Sequence, residues 1–259
     1  MAERPTIARR ADEQLANYLR FITEQQHAQK RTKSTDSALR RLAKHAVPVQ
    51  FRGKARFLVT DALTPLARAR ARQLLREHAT GEDFLLHIGS GGEHKEGWVN
   101  LDLAGDPVEL PWNLKRGLPF PDATVDAIFS EHLLEHIPLP GVAQTLAECH
   151  RVLKPGGTMR VGVPDAGQLL ESYARGGTGF IEHTRPDRPT SMLAVQELFY
   201  WYGHCTMFDE ETLGWLLAAA GFTEPVKRCE PLETRLPVPA PDTERRWAET
   251  LYMETIRPT

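Results

Sequence analysis

From Phe84 onward the chain alternates short apolar runs with helical segments, the signature of a parallel sheet wound with helices. Runs at Phe84–Ile88, Val99–Leu103, Val125–Phe129 and Thr158–Val163 read as strands, with two more near Val226 and at Leu251–Ile256. Helices are predicted over Val142–Leu153, Ala166–Ala174 and Glu210–Ala220. Lys154-Pro155-Gly156-Gly157 makes a tight turn that sends the chain into the strand at Thr158. The expected class is α/β, with a doubly wound, mostly parallel sheet.

The first third follows another pattern. Ala11, Leu15, Tyr18, Leu19 and Ile22 fall at helical spacing, and a second helix starts near Ser34 or Asp36 and carries Leu39, Leu42 and Ala43. A third opens with Thr64 as N-cap and Pro65 at the first helical position, shows an apolar stripe of Leu66, Ala67, Leu74 and Leu75, and stops at Gly81. Residues 1–80 hold 17 Lys+Arg and 7 Asp+Glu, about +10, whereas the remainder holds 15 and 27, about −12. Such a basic segment attracts polyanions or docks on its own acidic domain. Intramolecular docking is favoured, because Tyr18, Phe21, Phe51 and Phe57 are too sparse for a base-stacking platform. The chain thus divides into a basic helical extension, 1–81, acting as lid, dimer arm or recognition element, and a catalytic domain, 82–259.

No run approaches the roughly 18 apolar residues of a membrane span, and Met1–Arg10 lacks the apolar core of a signal peptide, so a soluble, cytoplasmic protein without a membrane partner is expected. Cys149, Cys205 and Cys229 are too few and too scattered for a disulfide framework or zinc cluster. The proline-rich stretch 231–242 reads as a surface loop.

The first strand runs into His87-Ile88-Gly89-Ser90-Gly91-Gly92, where glycines let the backbone turn sharply and approach a ligand closely. In an open α/β sheet that turn marks a cofactor crevice at the strands' carboxyl ends. Gly-x-Gly-x-x-Gly is not completed, since His94 stands in the last place, and Asp102 follows Gly89 by 13 residues instead of about 20, which argues against NAD. Asp102, at the tip of the second strand, has the carboxylate that accepts both hydroxyls of a ribose.

Leu86-His87-Ile88-Gly89-Ser90-Gly91 and Gly97-Trp98-Val99-Asn100-Leu101-Asp102-Leu103 resemble the opening of class I S-adenosylmethionine-dependent methyltransferases, in their bacterial branch with a G-W-x-N-x-D segment. Leu118-Pro119-Phe120-Pro121-Asp122, Val125-Asp126-Ala127-Ile128-Phe129-Ser130, Glu131-His132-Leu133-Leu134-Glu135-His136 and Arg151-Val152-Leu153-Lys154-Pro155-Gly156-Gly157 extend the resemblance in order. Met207-Phe208-Asp209-Glu210-Glu211-Thr212-Leu213 resembles the family's last helix. The resemblance covers residues 82–257. It implies a Rossmann-like sheet of seven strands and S-adenosyl-L-methionine as cofactor. The methionine moiety would lie against Gly89, Ser90 and Gly91, the ribose on Asp102 and the adenine near Leu103, Asn113 and Leu114, with Ser130 and Glu131 beside the sulfonium and His87 counted among the cofactor-binding residues. Asn113 stands where relatives often carry aspartate, and its amide oxygen still accepts a hydrogen bond from the adenine amine.

On the acceptor side, Phe199-Tyr200-Trp201-Tyr202-Gly203-His204 forms an aromatic wall with an imidazole. His204, then His132, is the expected base, with Tyr200, Trp201, Tyr202 and His136 toward substrate. Glu131, His132, Glu135 and His136 share one turn that could hold a divalent ion, yet such a turn commonly serves as a hydrogen-bonding element, so no metal is expected. The activity implied is methyl transfer to an O or N atom of a small-molecule, glycan-like or natural-product acceptor. Two rivals are RNA or protein methylation through the basic helices, and a non-catalytic cofactor-binding partner subunit; self-association as a homodimer fits the extension, and nucleic acid is not favoured.

Overall fold

Each apolar run becomes a strand because it is buried on both sheet faces, the condition that suppresses hydrophobic alternation. The computed structural model describes residues 15–21, 24, 52–78, 83–103 and 108–259. The helix expected from Ser34 or Asp36 and the boundary at Gly81 lie outside the described residues.

The sheet comprises β1 (Leu85–Ile88), β2 (Val99–Asp102), β3 (Leu110–Pro111), β4 (Val125–Glu131), β5 (Leu153–Pro164), β6 (Thr223–Cys229) and β7 (Thr250–Ile256). Its seven strands run in the order β3-β2-β1-β4-β5-β7-β6. β1 to β5 are mutually parallel, and β7 lies antiparallel between β5 and β6. The strand order reverses between β1 and β4, which opens a crevice at their carboxyl ends.

The helices are α1 (Arg52–Ala62), α2 (Thr64–Glu77), α3 (Leu139–Val152), α4 (Ala166–Ala174), α5 (Phe180–Thr184), α6 (Ser191–Gln196) and α7 (Glu210–Ala219). A five-residue π turn, Glu197–Trp201, continues α6. One core joins Ile88, Leu101 and Ile128 of the sheet to Val142 and Leu146 of α3, Leu213 and Leu217 of α7, and Ala67, Ala71 and Leu74 of α2. The extension's last helix therefore shares the core of the sheet. Residues 15–21 are helical, and Tyr18 is buried with its ring 5.8 Å from that of Trp201.

Several expectations need correction. Thr64 is the first residue of α2 and not its cap; Leu63 precedes it without a side-chain cap bond, while the proline does sit in the first turn. α3 begins a turn earlier than Val142, because Pro138-Leu139-Pro140 supplies the fixed φ that a first helical turn accepts. Gly156-Gly157 lies within β5 beside a register shift against β4. β3 is a two-residue edge strand ending in proline, too short to show periodicity.

The stretch 231–242 is more than a surface loop. Leu236 packs with Leu85, Trp98, Ala127 and Phe129 against the sheet's second face. Arg160, wholly buried on β5, donates to Asp242 Oδ1 at 2.7 Å, Asp242 Oδ2 at 2.5 Å, Glu254 Oε1 at 2.8 Å and the Glu233 carbonyl at 2.8 Å. A buried guanidinium survives only when its donors are met this way, and meeting them bolts the segment to the sheet.

Candidate functional site

The turn after β1 is fixed by its neighbour strand. Gly89 and Ser90 donate their backbone N–H groups to the Leu101 carbonyl at 2.8 and 3.2 Å, and Gly91 N–H reaches Asp102 Oδ2 at 2.9 Å. Gly89 has φ +72°, and a Cβ there would stand 2.7 Å from side-chain atoms of Leu133, so backbone and packing both demand glycine. Leu133, from the segment after β4, thus lies directly over the turn.

Beside this turn opens a cavity of about 580 Å³, within the range of small-molecule sites. Gly89, Asp102, Leu103, Asn113, Leu114 and His136 line it, together with Phe57, Leu133 and the first turns of α3. The extension supplies one wall. Thr60 Oγ1 donates to the Leu103 carbonyl, Asp61 accepts from Asn113 Nδ2 at 3.0 Å and from Arg116 Nε at 2.8 Å, and Lys115 Nζ lies 5.0 Å from the Phe57 ring. The bonds from Arg116 and Asn113 hold the Asp61 carboxyl below its ordinary pKa. Phe57, Thr60 and Asp61 thus pack on the sheet domain, and at this ion pair the extension gives the anion and the sheet domain the cation. Asn113 Oδ1 also accepts the Lys115 N–H at 3.1 Å, so the carboxamide caps a helical turn while it faces the cavity.

Other expected site residues are placed away from the cavity lining. His87 is buried on the opposite sheet face, its Nδ1 2.9 Å from Asn100 Oδ1 and its ring 5.1 Å from Phe129; burial pushes its pKa down to about 4. Its placement corrects the expectation of cofactor contact, because inward alternation along β1 directs it into the second core. Ser90 and Ser130 are buried with hydroxyls that carry no hydrogen bond among the described residues, and Gly91 has open space over its Cα.

Glu131 was expected beside a sulfonium. Its carboxylate instead accepts from Tyr252 Oη at 2.6 Å and Thr243 N–H at 3.0 Å, with Arg246 at 3.5 Å. Burial raises its pKa, but these donors outweigh burial and the net shift is downward. It therefore serves as an internal tie between β4 and the C-terminal region. His132 adopts φ +53°, rare for a non-glycine residue, and its Nε2 meets Thr250 Oγ1 at 2.9 Å.

The aromatic wall divides. Trp201 packs on Tyr18 and Phe21, Tyr202 donates to Glu197 Oε1 at 3.0 Å, and Tyr200 is 76% exposed. None of the three lines the cavity, since the π turn points them toward the 15–21 helix, Glu197 and solvent. His204 does approach the site: its ring lies 4.9 Å from that of His136, and its Nδ1 is 2.6 Å from the Leu198 carbonyl. That bond makes Nδ1 the protonated nitrogen and leaves Nε2 its lone pair. Burial lowers its pKa, so the ring is neutral near pH 7.

Phe57, Trp112, Leu133, Ile137, Gln144 and Thr145 line the cavity without having been singled out from the sequence. Trp112 carried a signal through its place beside Asn113, Phe57 as one of the few aromatics of the extension, and Leu133 through its place in the turn after the β4 run.

The geometry can be set beside known proteins. Residues 110–161 match the family described as "Methyltransferase domain". The chain is 33% identical over 118 residues to malonyl-[acyl-carrier protein] O-methyltransferase 1 of Coxiella burnetii, covering 44% of this chain and 33% of that protein. It is 46% identical over 48 residues, 18% of each protein, to a Mycolicibacterium smegmatis protein named "Probable S-adenosylmethionine-dependent methyltransferase". The chain thus spans a third or less of the length of these curated relatives. Among solved structures, a SAM-dependent methyltransferase from Archaeoglobus fulgidus aligns over 74% of this chain and 93% of its own, at 16% identity and TM-score 0.39. Over part of its length the chain is thus similar to methyltransferase domains and to S-adenosylmethionine-dependent methyltransferases.

Proposed function

We propose that this protein transfers the methyl group of S-adenosylmethionine to an oxygen or nitrogen atom of a small-molecule, sugar or natural-product acceptor. The observation that carries the reading is a cavity lined jointly by Gly89 of the turn and by Asp102 and Leu103 at the end of β2. The residues fit the cofactor: Gly89 leaves no room for a side chain, Asp102 offers a carboxylate for ribose hydroxyls, and Trp112, Leu114 and Phe57 give an apolar slot for a purine.

When bound, S-adenosylmethionine supplies an already activated methyl group, so the protein's contribution is alignment and exclusion of water. Leu133 and Ile137 close the cavity from the segment after β4, and Phe57 closes it from the extension. His136 lies at the lining with His204 behind it, an imidazole pair suited to accept a proton from a hydroxyl or ammonium acceptor. The Coxiella relative's printed activity is methyl transfer to oxygen, which accords with an oxygen acceptor here. We read the described segment 52–78 as a part of the cofactor site more than as a nucleic-acid arm, because Phe57, Thr60 and Asp61 are engaged with the cavity wall.

Calorimetric titration with S-adenosylhomocysteine, with NAD in parallel, tests this reading. Micromolar binding of the former alone supports it and justifies an acceptor screen. Binding of neither by a folded sample overturns it in favour of a non-catalytic partner subunit.

A further inference from the structure

Glu135 is an energetic anomaly in the described residues. It is 1% exposed, and neither carboxylate oxygen has a hydrogen-bond partner among them. His132 Nδ1 stands 3.3 Å from Oε1 and His136 Nε2 4.0 Å, ion-pair distances without hydrogen-bond geometry. A buried carboxylate needs donors or positive charge around it, and here the nearest are the imidazoles of His132 and His136.

The fold brings a third donor to the same place. Cys205 and Thr206 donate their N–H groups to the Glu135 carbonyl at 2.6 and 3.2 Å, and Thr206 Oγ1 donates to the Ile137 carbonyl at 2.8 Å. These bonds clasp the loop after the π turn against the segment after β4 and deliver His204 beside His136. One ligand atom each from Glu135, His136 and His204 lie within 4.8 Å of one another.

We propose that Glu135, His136 and His204 bind a divalent transition-metal ion, of the zinc, cobalt or manganese type, at the edge of the cavity. One carboxylate and two imidazoles form a donor set that borderline metals accept and that leaves coordination positions for solvent or an acceptor oxygen. The supporting shell is built: the Leu198 carbonyl takes the His204 Nδ1 proton and presents Nε2 as the donor, an arrangement typical of metal-bound histidine. Donor atoms of a tetrahedral zinc site stand about 3.3 Å apart, so closing the set shortens the separations by up to about 1.5 Å, which the 41% exposed side chain of His136 permits. His136 also lines the cavity, so an ion held there faces whatever occupies the acceptor end, and while it is held the two imidazoles act as ligands and not as bases. Compared with the turn Glu131, His132, Glu135 and His136, the set gains His204 and drops Glu131, which is tied to Tyr252 and Thr243, and His132, whose Nε2 meets Thr250 Oγ1.

The test is titration of the full chain, first stripped with a chelator, with Co²⁺ followed by visible absorption and with Zn²⁺ in competition with a chromophoric chelator. The site predicts one ion per chain with Kd of about 10 µM or tighter. It also predicts that His136→Ala and Glu135→Gln each weaken binding by about tenfold or more. His136→Ala removes a partly exposed side chain and guards against misfolding as the cause. No saturable binding, or binding that both variants leave unchanged, overturns the proposal. The readout needs no cofactor: a chain that binds S-adenosylhomocysteine but no ion refutes the metal alone, and one that binds the ion but no S-adenosylhomocysteine upholds it while the methyl-transfer reading fails.

Discussion

Asp102→Ala is the sharpest probe of the cofactor reading. The carboxylate has two tasks: Oδ2 accepts the Gly91 N–H at 2.9 Å, and the group lines the cavity where a ribose would lie. A hydrogen bond to a charged group contributes about 1.5–3 kcal/mol, and a half-exposed carboxylate belongs at the low end. Two ribose hydroxyls then account for about 3 kcal/mol, an affinity loss of about 150-fold for S-adenosylhomocysteine. Asp102→Asn separates the tasks, because its amide oxygen still accepts the Gly91 N–H and keeps the turn in place. It should lose about tenfold, the effect of the charge alone. Calorimetry at fixed ionic strength reads both variants, and 5′-methylthioadenosine, which shares the ribose, should weaken in parallel. If a folded Asp102→Ala protein binds within about twofold of the parent, ribose recognition by this carboxylate is refuted and the carboxylate belongs only to the turn.

Four further outcomes follow from the geometry. Gly89→Ala sets a Cβ 2.7 Å from Leu133 at φ +72°, so S-adenosylhomocysteine binding should fall by more than about tenfold; parent-like calorimetry would show that the turn adapts. His204→Ala should slow turnover in an acceptor assay while leaving S-adenosylhomocysteine affinity nearly intact, and an unchanged rate would return His204 to a packing role. Arg160→Met strands Asp242 and Glu254 in the interior and should cost about 3–5 kcal/mol in chemical denaturation, whereas an unmoved midpoint would mean that the segment 231–242 is held by its apolar contacts alone. His87 has its pKa pushed from 6.5 to about 4 by burial, so below pH 6.5 the unfolded chain takes up a proton that the folded chain refuses. Its contribution is intact above pH 6.5 and declines toward pH 4 by about 3 kcal/mol; an NMR titration midpoint near 6.5 for this ring would contradict that.

How far the residues themselves disclose this site depends on whether its parts are contiguous. The turn at Gly89 and the acid at Asp102 were readable because a parallel sheet places successive strand ends on one edge, so order along the chain becomes adjacency in space. The same logic misplaced His87 and Glu131, since it gives the strand end and not the face toward which a side chain turns. His87 points into the second core, and Glu131 meets Tyr252 across β5, a side-chain contact invisible until β7 is folded back between β5 and β6. Arg160 and Asp242 are 82 residues apart, and nothing in a proline-rich run announces a buried counter-ion. The pairing of His136 with His204 has the same origin: an imidazole after β4 and another after the π turn, joined by backbone bonds from Cys205 and Thr206 to the Glu135 carbonyl. What the chemistry of the acceptor end requires is therefore set by long-range contacts. A buried carboxylate at their meeting point, ringed by imidazoles, is what argues for a cation there.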